Sequence, residues 1–236
     1  MKSTIEEIEK RFDQDVERFS NLDTGQATTL DAAYNLELIT EAISKHYPAG
    51  ISVLDVGCGA GNYSVKLSHK MKDINYTLVD LSRPMLDKAT ERLSGLTQGT
   101  IRAVKGDFRS QSLGKHQFDA IIATAVLHHL RDDQDWETAF TKLFELLKPG
   151  GSIWIFDLVE QHTEALQQLI YRDLYGTYLT GLKDESYRDS VFDYIKKEDS
   201  PRSLIYQLQL LEKVGFTSVD VLHKNLCFAS FVGFKK

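Results

Sequence analysis

The feature that most narrows the fold is the run at 53–62, Val-Leu-Asp-Val-Gly-Cys-Gly-Ala-Gly-Asn. Four residues of strand type lead into three glycines within five positions, and a helical pattern opens directly after them. Glycine takes positive φ at little steric cost and lets another group approach the backbone closely, so it suits a strand that turns at once into a helix. The rest of the sequence continues that rhythm. Strand-type runs fall at 51–56, 75–80, 100–105, 118–123 and 151–157, with helical patterns at 61–72, 83–93 and 134–148 between them. Strand and helix in alternation predict parallel strands with helical crossovers, hence an α/β, doubly wound, Rossmann-like sheet. Two further β-type runs, 217–222 and 226–234, nearly abut, and strands joined so tightly predict an antiparallel hairpin at the sheet's edge.

Around that core the chain reads as a single domain over 1–236. Apolar residues at Ile5, Ile8, Phe12, Val16 and Phe19 predict a helix over 4–19. Asn21-Leu22-Asp23-Thr24-Gly25 breaks it, and a second helix follows at 30–46 before Pro48. These form an N-terminal helical cap over 1–48, followed by the core at 49–160. Residues 161–202 read as a helical lid, and 203–236 as a last helix, 203–213, and the hairpin.

Composition excludes several roles. Twenty-eight basic against 34 acidic residues leave a net charge of −6, with no basic run longer than a pair. Binding through phosphate neutralisation calls for a basic excess, so a DNA partner is not expected and RNA is disfavoured. Cys58 and Cys227 cannot build a disulfide framework, and no Cys/His spacing resembles a zinc site, so no metal is expected. The N-terminus lacks a signal-peptide core, and no apolar run approaches the roughly 18 residues that span a bilayer. The expectation is a cytoplasmic protein without a membrane partner, as monomer or homodimer.

Three carboxylates sit at strand ends. Asp55 lies just before the glycine turn, where it opposes a pyrophosphate and favours a cationic ligand. The spacing is G-x-G-x-G, with Asn62 where the dinucleotide fingerprint places its last glycine. Asp80 ends the second strand, where an acid can accept from both ribose hydroxyls. The third strand ends at Lys105-Gly106-Asp107-Phe108, an acid for an adenine amino group beside an apolar cover for the ring. Any one of these acids also serves as a cap or turn former. Together they match an adenosine carrying a positively charged tail.

At these residues the chain resembles the class I S-adenosylmethionine (SAM) dependent methyltransferases. VLDVGCGAGNYS, LVDLSRPML, KGDF, FDAIIATAVLHHL and LLKPGGSIWIFDLV resemble that family's motifs in its order, over about 50–160. The resemblance implies a seven-stranded sheet, SAM as cofactor and S-adenosylhomocysteine (SAH) as product. Gly57, Cys58 and Gly59 would line the methionine moiety, with Gly61 also in the cofactor-binding loop. Asp80 would take the ribose, Leu81 would flank the adenine, Asp107 and Phe108 would hold its other edge, Thr124 would lie under the sulfonium, and Met85 would also belong to the cofactor site.

Methyl transfer from a sulfonium is an in-line displacement, so the protein's minimum task is to place the acceptor and exclude water. His128 and His129 are the candidates for a base, or else shape the loop after the fourth strand. Ala123-Thr124-Ala125-Val126 stands where DNA base methyltransferases carry an Asn/Asp-Pro-Pro-aromatic motif, and neither cysteine is placed as a nucleophile. A small-molecule acceptor is therefore expected. Six of the ten tyrosines fall between 171 and 206. Tyr171, Tyr175 and Tyr178, spaced four and three, share a helix face that could line the acceptor pocket or pack the lid.

The chain's ends also resemble a narrower group, the carboxy-SAM synthases of tRNA wobble-uridine modification and their methyltransferase-like relatives. Arg11-Phe12-Asp13 and Val16-Glu17-Arg18-Phe19 resemble its first helix. By that resemblance Tyr34 would reach the methionine carboxylate and Arg188, after Tyr187, would hold an extra carboxylate on the cofactor. The Gly57-Cys58-Gly59-Ala60-Gly61 loop has the ordinary methyltransferase form, so methyl transfer ranks above carboxy-SAM synthesis. A non-catalytic SAM-binding subunit is the third reading, and a dehydrogenase fits least.

Overall fold

The structure, a computed structural model, describes residues 2–21 and 26–236. The break expected at 21–25 falls, from Leu22 to Gly25, outside the described residues. Seven strands, β1 (Ser52–Val56), β2 (Asn75–Asp80), β3 (Ile101–Lys105), β4 (Phe118–Thr124), β5 (Leu147–Leu158), β6 (Ser218–Asn225) and β7 (Phe228–Phe234), form one sheet in the order β3-β2-β1-β4-β5-β7-β6. The first five are parallel, and β7 runs antiparallel between β5 and β6. Strand order reverses at β1, which lies between β2 and β4, so the crevice for a ligand opens at the carboxyl ends of those three strands.

Both faces of the sheet are covered, which is why its central strands read as apolar runs rather than alternating ones. Val53, Leu78 and Ile122 pack on one side against Ile39, Leu67 and Leu86. These come from α3 (Ala32–His46), α4 (Asn62–Lys70) and α5 (Arg83–Leu93). Leu54, Val79 and Ile121 face the other side, where α6 (Asp133–Leu146) and α10 (Leu204–Val214) supply Phe140, Leu143 and Leu211. Successive residues of a strand point to opposite faces, so one strand feeds two cores.

The helix expected over 4–19 is two helices, α1 (Ile5–Gln14) and α2 (Val16–Ser20). Asp15, at φ −112° and ψ 15°, departs from helical geometry and separates them. Thr4 and Glu7 close a capping box at the start of α1, which pins the N-terminal turn. The lid segment is helical, as expected, but not uniform. α7 (Glu164–Leu166) runs into a π-helical stretch, Gln167–Tyr175, then α8 (Gly176–Leu182), and α9 (Glu185–Glu198) follows a break at Lys183 and Asp184. No helix among the described residues is long and apolar enough to cross a membrane.

Candidate active site

A cavity of about 700 Å³ opens over the carboxyl ends of β1, β2 and β4. Its floor is the turn after β1, where Gly57, Gly59 and Gly61 hold φ of 62°, 50° and 79°. The three glycines do different work. A Cβ on Gly57 would come within 2.5 Å of Val126 Cγ2, so the turn can lie against the loop after β4 only without a side chain. A Cβ on Gly59 would meet nothing within 4 Å, and Gly59 itself lines the cavity. At Gly61 the Cβ would meet Ala89 at 2.9 Å, so this glycine lets α4 close on α5 and does not face the cavity.

Gly57, Cys58, Gly59, Asp80, Leu81, Met85, Asp107, Phe108 and Thr124 all line this cavity, as do His128, His129 and Tyr175. Asp80 also organises the floor: its Oδ2 accepts from Gly59 N–H at 2.8 Å and its Oδ1 from Ser82 N–H at 2.9 Å. Burial pushes its carboxyl up to about 6, against the pull of these N–H groups. Asp107 is engaged from within the chain, its oxygens taking Arg109 N–H at 2.8 Å and Arg109 Nε at 3.0 Å. Arg109 in turn lies 2.8 Å from Asp135. The expectation that Asp107 waits for an adenine amino group must therefore include this guanidinium.

Besides Gly61, five expected residues sit elsewhere, each for a local reason. Asp55 is buried beneath the loop, where its Oδ2 accepts from Ser64 Oγ at 2.6 Å; burial pushes it up to about 7. Tyr34 is 54% exposed, on the outer face of α3, with its ring edge-on to His223 at 4.9 Å. The neighbouring Asn35 and Leu36 take the inward positions, so sequence spacing to the glycine loop does not bring Tyr34 to the cavity. Arg188 pairs with Asp189 at 2.9 Å and Glu185 at 3.9 Å at the surface, not in the cavity lining. Tyr171 is buried against Phe192 at 4.9 Å. Tyr178 donates its hydroxyl to Ala27 O at 2.8 Å, as Tyr175 does to Thr28 O at 2.7 Å. The tyrosine face thus clamps the 27–28 segment, and only Tyr175 of the three reaches the cavity. The aromatic wall comes instead from Phe12, Phe19, Tyr187 and Tyr194.

The far side of the cavity is a histidine–carboxylate cluster. Asp157, buried at the end of β5, accepts from the N–H groups of Leu127 and Leu158, each at 2.7 Å, and from His128 Nδ1. Burial raises the Asp157 carboxyl, but His128 and these N–H groups hold it below the usual range. Burial works against a charged His128, yet Asp157 and Asp199 prevail and hold it up to about 9. His129 goes the other way, lowered by burial and by its neighbour. Asp199, at the end of α9, lies 3.1 Å from His129 Nδ1 and 3.8 Å from His128 Nε2. Ser200 N–H donates to His128 O at 2.7 Å, which ties the end of α9 to the turn after β4.

The N-terminal segment straps over the same region. Ser3 Oγ donates to Glu198 Oε1 at 2.7 Å, Arg11 pairs with Glu198 at 3.1 Å, and Arg131 donates to Ser3 O at 3.1 Å. Sequence reading missed Asp157 and Asp199. Asp157 is embedded in an apolar strand, and Asp199 is separated from the histidines by the whole lid, so no spacing announces the cluster. It brings His128, His129 and Asp199 within ligand distance of one another where no metal set was expected.

The family described as "Methyltransferase domain" matches residues 53–151, from the middle of β1 into β5. The carboxy-S-adenosyl-L-methionine synthase of Campylobacter lari is 25% identical over 239 residues, covering 97% of this chain and 96% of its own length. An uncharacterized methyltransferase of Geobacillus kaustophilus is 34% identical over 168 residues, 70% of each chain. Among solved structures, the [4+2]-cyclase SpnF superposes with a TM-score of 0.67 at 15% identity, covering 99% of this chain and 97% of that one. That last likeness is one of fold alone.

Proposed function

This chain belongs to the class I SAM-dependent methyltransferases, and we propose that it moves the SAM methyl group to a small-molecule acceptor held between the glycine loop and the α9 side of its cavity. The observation that carries this reading is that both halves of such a reaction share one space. Gly57, Gly59, Asp80 and Phe108 face the cavity from the sheet, Tyr187 and Tyr194 face it from the lid, and His128 faces it from the turn after β4. A volume of about 700 Å³ lies within the range of small-molecule sites.

In this reading Asp80 accepts from the ribose hydroxyls, Leu81 and Phe108 flank the adenine, and the methionine moiety lies along Gly57, Cys58 and Gly59. Thr124 would hold the sulfonium end of the donor, and Tyr187 and Tyr194 would bound the acceptor. The acceptor's lone pair attacks the methyl carbon as the carbon–sulfur bond breaks, leaving SAH. Proximity and exclusion of water supply the rate, since the donor is already activated. His128 is fixed by Asp157 and Asp199, which makes it a positioned wall of the acceptor site rather than a freely rotating base.

The full-length likeness to the Campylobacter lari enzyme favours a second reading, carboxy-SAM synthesis. Against it stands Arg188, whose guanidinium is paired with Asp189 and Glu185 outside the cavity lining.

The test is turnover with SAM against a panel of small hydroxylated, amino and carboxylated acceptors, with both nucleoside products followed by mass spectrometry. Acceptor-dependent SAH is expected. Conversion of SAM to a carboxylated nucleoside supports the second reading. Binding of SAM without turnover across the panel counts against a small acceptor.

A further inference from the structure

We propose that His128, His129 and Asp199 form a binding site for one divalent transition-metal ion on the acceptor side of the cavity. One ligand atom from each lies within 4.8 Å of the other two. His129 Nδ1 and Asp199 Oδ1 are 3.1 Å apart, and His128 Nε2 stands 3.8 Å from the same oxygen. Donor atoms around an ion with bonds of roughly 2.0–2.2 Å stand about 3 Å apart, so modest side-chain rotation closes the set. Two imidazoles and one carboxylate suit zinc, iron or manganese rather than calcium, and three protein ligands leave positions open for a further donor.

Two independent observations point to a ligand here. First, His129 Nδ1 and Asp199 Oδ1 are buried, stand 3.1 Å apart and make no well-aligned hydrogen bond among the described residues. The Asp199 side chain is only 4% exposed, and an unsatisfied carboxylate oxygen at that depth is costly unless something else takes it. Second, the support of the cluster is of the kind metal sites use. His128 Nδ1 is held by Asp157 Oδ1, which turns Nε2 toward Asp199. Asp157 is itself pinned by the N–H groups of Leu127 and Leu158. A carboxylate behind a histidine orients the ring and strengthens the nitrogen as a donor. Both ends of the cluster are tied together through Ser200 N–H and His128 O. The nearby cation Arg131 directs donors to Ser3 O and Glu198 O, leaving Asp199 Oδ1 to the histidines.

The open positions of such an ion face the cavity that His128, His129 and Asp199 line, so an acceptor bearing its own oxygen or nitrogen donor would complete the sphere. The site thus selects chelating acceptors over purely apolar ones.

The experiment uses the full chain, stripped with a chelator and titrated with Co²⁺ and Zn²⁺ in the absence of nucleoside and acceptor. One equivalent of Co²⁺ with a visible d–d absorption spectrum is expected, displaced by Zn²⁺. His129→Gln and Asp199→Asn, with circular dichroism matching the parent, should each weaken binding at least 100-fold, and Asp157→Asn about 10- to 100-fold. His46→Ala, remote from the cluster, should leave it unchanged. No bound ion at millimolar Co²⁺ and Zn²⁺ overturns the proposal, and so does binding that survives both ligand substitutions. Metal binding is read without the methyl donor, so its failure is separable from failure of the methyl-transfer reading.

Discussion

The Asp80 carboxylate accepts a hydrogen bond from Gly59 N–H at 2.8 Å, so the acid that ends β2 holds the turn that follows β1. One side chain therefore shapes the cavity floor, and in the proposed reading it also accepts from a ligand hydroxyl. Asp80→Ala should weaken SAH binding by about 10- to 100-fold, as expected for loss of hydrogen bonds to a charged group. Titration calorimetry checks this, and unchanged affinity would remove Asp80 from the site.

Gly57 faces Val126 so closely that a Cβ would stand 2.5 Å from Cγ2, at a φ of 62° that L side chains rarely adopt. Gly57→Ala should cost about 1–3 kcal/mol of stability through crowding and strain. The double variant with Val126→Ala should recover the crowding part and not the backbone part. Denaturant unfolding of both variants measures the split.

Asp55 gives a pH signature. Its folded-state carboxyl stands at about 7 because burial penalises the charge, whereas an unfolded Asp titrates near about 3.9. The folded state therefore holds the proton more tightly. The resulting stabilisation is fully present below about pH 4 and lost as pH rises through about 7, a change on the order of a few kcal/mol. Asp55→Asn keeps an acceptor for Ser64 and removes the titration. The variant's Tm should match the parent's near pH 4 and exceed it at pH 8. A constant difference across that span would contradict the assignment.

Arg188→Ala should leave both Tm and SAM affinity unchanged, because its partners Asp189 and Glu185 are exposed. A selective loss of affinity for a carboxylated cofactor would instead place Arg188 at the site.

What could be read from sequence was what repeats or what turns. The helix expected over 83–93 is α5 residue for residue, since Ser82 caps it and Pro84 sits in its first turn. Glycines at a strand end announced the cavity floor, and Asp80 followed from its place at the next strand end. Residues outside that grammar escaped. Tyr34 has the right distance along the chain but the wrong face of α3. Asp199 reaches His129 only because the lid folds back across the end of β5, and that path is set by packing of Tyr171, Tyr175 and Phe192 rather than by any local motif. Asp15 divides the first helix although the apolar spacing runs straight through it, because periodicity reports a buried face and not backbone continuity.

The most direct test of the central claim is the mass of the nucleoside released by denaturing the purified protein, with titration of added SAM in parallel. The account predicts SAM or SAH, one per chain, with loss of retention in Asp80→Ala. A nucleoside heavier than SAM by one carboxylate would contradict the methyl-transfer reading, and a cavity that neither retains nor takes up SAM would contradict the account as a whole.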